Sequence, residues 1–239
     1  MTNQRLPKTA GLKPEIECMA RGQRLIVGID EAGRGAWAGP VFAGAVMLPL
    51  DRPDLMTVLA GVRDSKQMTA RARSLLIITI QITALAWGVG SASHDEIDTL
   101  GIVPATCLAM KRALDAALER APAAPDFLLL DSIKCVNIDS WRLPYQALVK
   151  GDQRSLSIAS ASVLAKVSRD EYMRAISLKY PHYGFSLHKG YGTAKHRAAL
   201  DEFGACSIHR MTFAPMRGNF DKAKNTIRVT LPMPKGRGF

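Results

Sequence analysis

Two neighbouring acidic residues directly follow a short apolar run in the first part of the chain. Residues 25–29 are apolar, Asp30 and Glu31 come next, and a Gly-Arg-Gly sequence occupies residues 33–35. So short an apolar run is typical of a buried strand. The glycines would let the chain turn at the strand end, so that both carboxylates converge while backbone N–H groups near Arg34 remain free for an anion. The alternative is a polar turn that only closes the strand.

A third acid and two candidates for a fourth lie further along the chain. Asp131 ends a second short apolar run, residues 127–130, and α/β sheets build their sites at the carboxyl ends of such strands. Asp152 follows a glycine turn, whereas Asp170 lies inside a predicted helix beside Arg169. The sequence therefore favours Asp152 as a site residue and Asp170 as a member of a structural ion pair.

The residue types in this acidic group favour hard divalent cations. The candidate ligands are carboxylates, the five histidines are scattered, and the cysteines at positions 18, 107, 135 and 206 form no Cys-x-x-Cys pair. We therefore expect Mg²⁺ or Mn²⁺ rather than zinc. A pair of such ions can stabilise both the attacking and the leaving oxygen in phosphodiester hydrolysis.

The overall charge indicates a polyanionic partner. The 239 residues carry a formal net charge of +11, and the pI is near 9.8. A basic surface raises the local concentration of polyanions, so nucleic acid is the leading candidate, with a solubilising surface charge as the alternative. We find no apolar run near the roughly 20 residues of a membrane helix and no secretory signal. A cytoplasmic protein without membrane contact is expected.

The patterning predicts one compact domain with a mixed sheet in an α/β fold. Residues 1–24 are expected to be a polar N-terminal extension, residues 25–220 the domain with a C-terminal helical segment, and residues 221–239 a basic mobile tail. The helix at 157–179 is rich in Ala and Ser, which predicts very close packing against its neighbours. Strands are predicted at 25–29, 40–48, 85–91 and 127–130, and helices from Thr69 through 82, at 102–118, at 157–179 and from Thr193 to Phe203.

Six motifs, in order, closely resemble those of type 2 ribonuclease H, the ribonuclease HII family. The resemblance covers about residues 25–215. One position departs from it, because Ser132 stands where the family usually has glycine after the third acid. The motifs are Gly28-Ile29-Asp30-Glu31-Ala32-Gly33-Arg34-Gly35, Asp64-Ser65-Lys66, Lys150-Gly151-Asp152, the Ser157 to Asp170 stretch, His188-Lys189-Gly190-Tyr191-Gly192-Thr193 and His209-Arg210-Met211-Thr212-Phe213-Ala214-Pro215.

The resemblance implies an RNase H-like mixed sheet flanked by helices, with a C-terminal helical appendage. It implies a metal site that takes two Mn²⁺ or Mg²⁺ ions during turnover. It also implies that a Gly-Arg-Gly loop grips the backbone around a ribonucleotide, that Tyr191 lies at the RNA–DNA junction, and that two lysines contact phosphates. The implied metal ligands are Asp30, Glu31, Asp131 and Asp152, and the implied substrate contacts are Gly33, Arg34, Gly35, Lys66, Lys150 and Tyr191.

The expected activity is cleavage of the RNA strand of RNA/DNA hybrids and incision 5′ of single ribonucleotides in duplex DNA. The expected products carry 5′-phosphate and 3′-hydroxyl ends, and the roles are ribonucleotide removal and RNA primer processing. We expect a monomer whose basic tail could contact a replication or repair partner such as a sliding clamp. Two rivals are a resolvase or transposase-like nuclease on the same fold and a module that binds hybrids without cutting them.

Overall fold

A mixed five-stranded sheet forms the centre of the computed structural model, which describes residues 9–131 and 138–217. The strand order is β3-β2-β1-β4-β5; β1 is antiparallel to β2 and parallel to β4, β3 is antiparallel to β2, and β5 is parallel to β4. The predicted mixed α/β sheet is therefore confirmed. The strands are β1 Ile26–Ala32, β2 Val41–Met47, β3 Ala86–Ala92, β4 Phe127–Asp131 and β5 Tyr145–Leu148.

Four long helices lie within two residues of their predicted positions. Thr69 caps one of them by accepting the Ala72 N–H, Thr193 caps another through the His196 N–H, and Gly204 follows the end of the latter. The helices are α1 Lys13–Ala20, α2 Leu55–Val58, α3 Ala70–Thr83, α4 His94–Leu100, α5 Ile102–Leu118, α6 Gly151–Arg154, α7 Leu156–Ser177, α8 Phe185–His188 and α9 Ala194–Phe203.

Helix α7 packs on one face of the sheet at unusually short range. A Cβ atom added to Gly28 on β1 would lie 2.3 Å from the carbonyl carbon of Ser157. One added to Gly44 on β2 would lie 2.4 Å from the carbonyl oxygen of Ala161. Glycines on the strands and small residues on the helix together allow this approach, which confirms the close packing predicted from the Ala and Ser content.

Helix α5 covers the opposite face of the sheet. Its small residues Ala109 and Ala113 are fully buried, and so are Val27 and Ile29 of β1 in the same apolar cluster. Because successive side chains of a strand alternate between faces, Asp30 projects to the α7 side. Both faces of the central strand β1 are thus covered by helices, and Asp30 lies under α7.

The segment before β1 is folded where the sequence analysis expected a polar extension. Helix α1 buries Glu15 and Cys18 completely. Glu15 Oε1 accepts hydrogen bonds from Ser155 Oγ at 2.6 Å and from the Ser157 N–H at 2.9 Å, at the start of α7. Burial raises the pKa of Glu15. Sequence patterning missed this helix because it has only eight residues and buries a carboxylate as well as Cys18, so it carries no long apolar stripe.

The predicted C-terminal helical segment is present as α8 and α9. Tyr183, Phe185, Leu200 and Ile208 form an apolar cluster there with Met173 from the end of α7. The basic tail at 221–239 and Ser132 lie outside the described residues. Among the described helices, none combines the length and apolar character needed to cross a membrane.

Candidate metal centre and nucleic-acid interface

Three carboxylates meet where β1 and β4 end. The two strands are parallel, and Ile29 pairs with Leu130, so the next residues, Asp30 and Asp131, lie side by side on neighbouring strands. The Gly151 N–H at the start of α6 donates to Asp131 Oδ1 at 2.7 Å, which places the following residue, Asp152, beside them. Each of the three aspartates offers a carboxylate oxygen within 4.8 Å of the other two.

The cluster of Asp30, Asp131 and Asp152 brings three acids together, and two of them, Asp30 and Asp152, are buried. Asp30 is 2% exposed and Asp152 4%. Asp30 Oδ1 accepts the Glu31 N–H at 2.7 Å, but Oδ2 has no hydrogen-bond partner among the described residues. Burial, followed by the charges of Glu31 and Asp131, raises the pKa of Asp30 well above its usual range. Burial and then the charge of Asp131 raise the pKa of Asp152 to about 6.

These properties fit a hard divalent cation. Buried carboxylates with an orphaned oxygen repel one another, and a cation between them removes both the repulsion and the unsatisfied acceptor. The cluster offers oxygen donors only, which suits Mg²⁺ or Mn²⁺.

Glu31 lies beside the cluster rather than in it. Strand β1 continues through both acids to Ala32, so the chain does not turn early enough for Asp30 and Glu31 to converge as expected. Glu31 Oε1 instead accepts from Arg34 Nη1 at 3.2 Å, while its Oε2 is buried and lacks a partner among the described residues. Burial raises the pKa of Glu31, and Asp131 adds to this shift, so the two carboxylates are neighbours.

A fifth acid adjoins the centre in the turn that precedes α3. Asp64 is buried, its Oδ1 accepts the Lys66 N–H at 2.9 Å, and its charge helps to raise the pKa of Asp152. Partial burial lowers the pKa of Lys66, but the charges of Asp30, Asp64 and Asp152 outweigh this effect and raise it above its usual value. Lys66 is therefore a cation at the edge of the acidic cluster. Lys150 is exposed at the start of α6, in a left-handed backbone conformation.

The Gly-Arg-Gly loop at residues 33–35 forms a turn directly after β1. The Ala36 N–H donates to the Gly33 carbonyl, and Gly33 has φ of +98°, which favours glycine. Within the described part of the chain, the N–H groups of Arg34 and Gly35 have no acceptor. A Cβ on Gly35 would meet nothing within 4 Å. The loop therefore presents two free N–H groups to open space.

Tyr191 lies in the loop between α8 and α9, which is joined to the Gly-Arg-Gly loop. The Trp37 N–H donates to the Gly190 carbonyl at 2.8 Å. The half-buried Tyr191 ring has Arg169 Cζ 5.3 Å and Lys166 Nζ 5.6 Å from its centroid. A backbone hydrogen bond therefore links the segment that follows the Gly-Arg-Gly loop to the Tyr191 loop, and both loops were expected from the sequence to contact the substrate.

Asp170 is separate from this group. Its Oδ1 accepts from Lys166 Nζ at 2.7 Å, and its Oδ2 lies 3.7 Å from Arg73 Nη2. The expected structural ion pair is confirmed, although its partners are Lys166 and Arg73 rather than the adjacent Arg169.

Two buried histidines support the Tyr191 loop. His196 Nδ1 lies 3.0 Å from the Tyr191 carbonyl, and His196 Nε2 lies 3.0 Å from His209 Nε2. The Cys206 N–H donates to His209 Nδ1 at 2.9 Å. This pattern assigns the protons to His196 Nδ1 and His209 Nε2, with both rings neutral. Burial lowers the pKa of His196 to about 4 and that of His209 to about 3.

Sequence reasoning gave no role to Asp64 or to the buried arginines Arg169 and Arg210. Asp64 lay in a motif already singled out, so an acid next to a proposed phosphate contact was a usable signal. Arg169 and Arg210 also lay in quoted motifs, but the sequence did not indicate that they are buried, because arginine is almost always exposed and a basic chain contains many of them.

Comparisons with known proteins identify the family of this chain. The family model described as Ribonuclease HII matches residues 27–216. A ribonuclease HII from Chloroflexus aurantiacus is 51% identical over 208 residues, covering 86% of this chain and 93% of the relative. The crystal structure of the ribonuclease H2 from Pyrococcus horikoshii OT3 superposes with a TM-score of 0.63 at 25% identity, covering 80% and 95% of the two chains.

A more distant structure shows the fold alone. Bst-RNase HIII, solved in complex with Mn²⁺, gives a TM-score of 0.62 at 21% identity and covers 81% of this chain and 68% of its own. The family match over most of the chain sets aside the resolvase and transposase-like alternatives. The chain therefore belongs to the ribonuclease HII family, whose members are type 2 ribonucleases H that act on RNA/DNA hybrids.

Proposed function

We propose that this enzyme both cleaves the RNA strand of hybrids and incises on the 5′ side of a single ribonucleotide embedded in duplex DNA. The products would carry 5′-phosphate and 3′-hydroxyl ends. The observation that carries the proposal is the continuity of the site: β1 delivers Asp30 to the carboxylate cluster, and the loop at 33–35 with free N–H groups follows at once. In this proposal the residues for cleavage and those for recognition lie only a few positions apart along the chain.

The metal ligands in this proposal are Asp30, Glu31, Asp131 and Asp152, and Glu31 lies beside the other three. Two divalent ions bound there would activate the attacking water and stabilise the departing 3′ oxygen. The protein's own part is to hold the carboxylates in place: the parallel register of β1 and β4 sets Asp30 and Asp131, and the Gly151 N–H orients Asp131. Helix α7 covers the buried side of Asp30 and excludes water there.

Recognition of the ribonucleotide is assigned to the Gly-Arg-Gly loop and Tyr191. Only the 2′-hydroxyl distinguishes a ribonucleotide from its DNA neighbours, so its backbone must be approached closely. Gly33 provides the turn, Gly35 leaves space for the substrate, and the N–H groups of Arg34 and Gly35 are free to bind backbone oxygens. Tyr191 would contact the junction between RNA and DNA. Its loop is held by the hydrogen bond from the Trp37 N–H to the Gly190 carbonyl and by the contact between His196 Nδ1 and the Tyr191 carbonyl.

Lys66 and Lys150 are proposed as phosphate contacts, since both are exposed close to the cluster. In the cell we expect the enzyme to act in the cytoplasm in ribonucleotide removal and RNA primer processing. A replication or repair partner that binds the basic tail stays a prediction.

The direct test is cleavage of a labelled DNA duplex that carries one ribonucleotide, with Mn²⁺ or Mg²⁺, with EDTA, and beside an all-DNA duplex. The proposal predicts metal-dependent incision on the 5′ side of the ribonucleotide and none of the all-DNA control. Cleavage of long hybrids without cutting at a single ribonucleotide would reject the junction recognition and leave the ribonuclease H activity in place.

A further inference from the structure

Two arginines are completely buried beneath the recognition loops. Arg210 and Arg169 both have 0% exposure. Arg210 donates from Nε to the Gly39 carbonyl at 2.9 Å, from Nη1 to the Arg34 carbonyl at 2.8 Å and from Nη2 to the Gly33 carbonyl at 2.8 Å. A single guanidinium therefore holds three carbonyls of the segment that contains the Gly-Arg-Gly loop.

Arg169 makes the complementary set of contacts. It donates from Nε to the Pro40 carbonyl at 3.0 Å, from Nη2 to the Ala38 carbonyl at 3.3 Å and from Nη1 to the Lys189 carbonyl at 3.0 Å. Its guanidinium also lies over the ring of Tyr191. Arg169 thus ties the segment after β1 to the loop that carries Tyr191.

Neither arginine forms an ion pair with a carboxylate among the described residues. Asp170, next to Arg169 in sequence, pairs with Lys166, and Asp98 binds the N–H groups of Met211 and Thr212. Burial, and then the charge of Arg169, lower the pKa of Arg210 to about 9. Burying two unpaired cations is costly, and apolar side chains would fill the space at less cost. The donor geometry of the guanidinium is what apolar packing cannot supply.

The carbonyls that Arg210 holds determine where the free N–H groups point. The Gly33 carbonyl and the Arg34 N–H belong to one planar peptide unit, and so do the Arg34 carbonyl and the Gly35 N–H. In a trans peptide these two groups point in opposite directions. Because Arg210 binds both carbonyls from inside the protein, both N–H groups must face outward.

We propose that Arg210 and Arg169 are positioning residues that fix the outward orientation of the Arg34 and Gly35 N–H groups and couple this loop to Tyr191. The inference rests on the proposed function and deepens it, since it names what makes the ribonucleotide-binding loop rigid. Their two buried positive charges also favour a phosphate above the loop.

The first test is Arg210→Lys, which keeps a cation but cannot hold three carbonyls in one plane. We expect KM for the single-ribonucleotide duplex to rise about tenfold or more, because small displacements of a recognition group are costly, while Mn²⁺ affinity is unchanged. Arg112→Lys is the matched control. Arg112 also donates to a backbone carbonyl, that of Ser91, and it binds Glu96, but none of these residues belongs to the Gly-Arg-Gly loop or to the Tyr191 loop. An unchanged KM in folded Arg210→Lys, or an equal rise in the control, would overturn the inference.

A second test uses the wild-type protein and is independent of whether the variant folds. Nuclear magnetic resonance relaxation should give the Arg34 and Gly35 amides order parameters near those of β1, about 0.85, without substrate. Values below about 0.6 would show a mobile loop and contradict the positioning role. If wild type fails to incise the single ribonucleotide, the proposed function fails. The positioning role can then still be tested, by comparing KM of wild type and Arg210→Lys for a long RNA/DNA hybrid and by the order parameters of the two amides.

Discussion

At the scale of single residues, the carboxylates proposed to bind the metal also destabilise the metal-free fold. Asp30 is fully surrounded by protein, faces two other acids and leaves one oxygen without a partner among the described residues. Without a bound metal ion, the folded protein would be more stable if Asp30 were replaced by an uncharged residue. The retention of such an unfavourable group is understandable if its partner is a bound cation.

Replacement of Asp131 by Asn should separate metal binding from folding. The Asn Oδ1 can still accept the Gly151 N–H, but the side chain no longer carries the charge that a divalent ion needs. We expect turnover on a hybrid to fall by roughly a hundredfold or more, with a cooperative unfolding transition retained. Asp126→Asn is the control, because Asp126 precedes the other end of β4 and binds the Arg24 N–H. A folded Asp131→Asn enzyme with a near-normal rate would remove Asp131 from the centre.

Asp30→Asn should stabilise the metal-free protein. The substitution removes a buried charge that Glu31 and Asp131 repel, and the Asn oxygen can still accept the Glu31 N–H. We expect the free energy of unfolding at pH 7, measured by urea denaturation with EDTA present, to increase by about 1–3 kcal/mol. A decrease would mean that the attraction to Lys66 outweighs the cost of burying the charge and the repulsion from Glu31 and Asp131.

At the scale of elements, the long helices and the apolar strands were predictable from periodicity, and the small-residue content of α7 predicted its close approach to the sheet. Strand β5 was not, because only one of its four residues is buried and it carries no apolar run. Helix α1 was missed because it is short and one of its buried residues is the acid Glu15. The paired positions of Asp30 and Asp131 depend on strand order, which local patterns do not encode.

The contact between α7 and β2 gives a testable packing prediction. In Gly44→Ala the new Cβ would lie 2.4 Å from the Ala161 carbonyl oxygen, so α7 must move away from the sheet. We expect a loss of about 1–3 kcal/mol in the free energy of unfolding. Gly35→Ala should unfold like wild type, since its Cβ would enter open space. Equal stability of both variants would contradict the described packing.

The buried histidines of the C-terminal segment should make stability depend on pH. The pKa of His209 is about 3 and that of His196 about 4 in the folded protein, below the ordinary 6.5. Below pH 6.5 the unfolded chain therefore binds more protons, and stability that is fully present above pH 6.5 is lost on acidification. In His209→Gln one of these sites is absent.

Urea denaturation at pH 7, 6 and 5 with EDTA checks this expectation. Wild type should lose stability relative to His209→Gln by up to about 1.4 kcal/mol per pH unit below pH 6.5. Asp152, whose pKa of about 6 is raised by burial, acts in the opposite direction but is common to both proteins. A difference that does not change with pH would show that His209 is not held neutral.

At the scale of the whole molecule, a strongly basic sequence contains a small acidic centre. The net charge of +11 attracts a polyanion, whereas the carboxylate cluster would repel a phosphate brought close to it. A divalent cation at the cluster resolves this conflict, whereas Lys66 brings one positive charge to the edge of the cluster. We therefore infer that Asp30, Asp131 and Asp152 bind the metal.

Calorimetric titration with Mn²⁺ tests that claim most directly, because it requires neither substrate nor turnover. Wild type and Asp126→Asn should bind Mn²⁺ alike, and Asp30→Asn, folded and at least as stable, should bind it about tenfold more weakly or worse. Equal Mn²⁺ affinity in wild type and Asp30→Asn would contradict the assignment of this cluster as the metal centre.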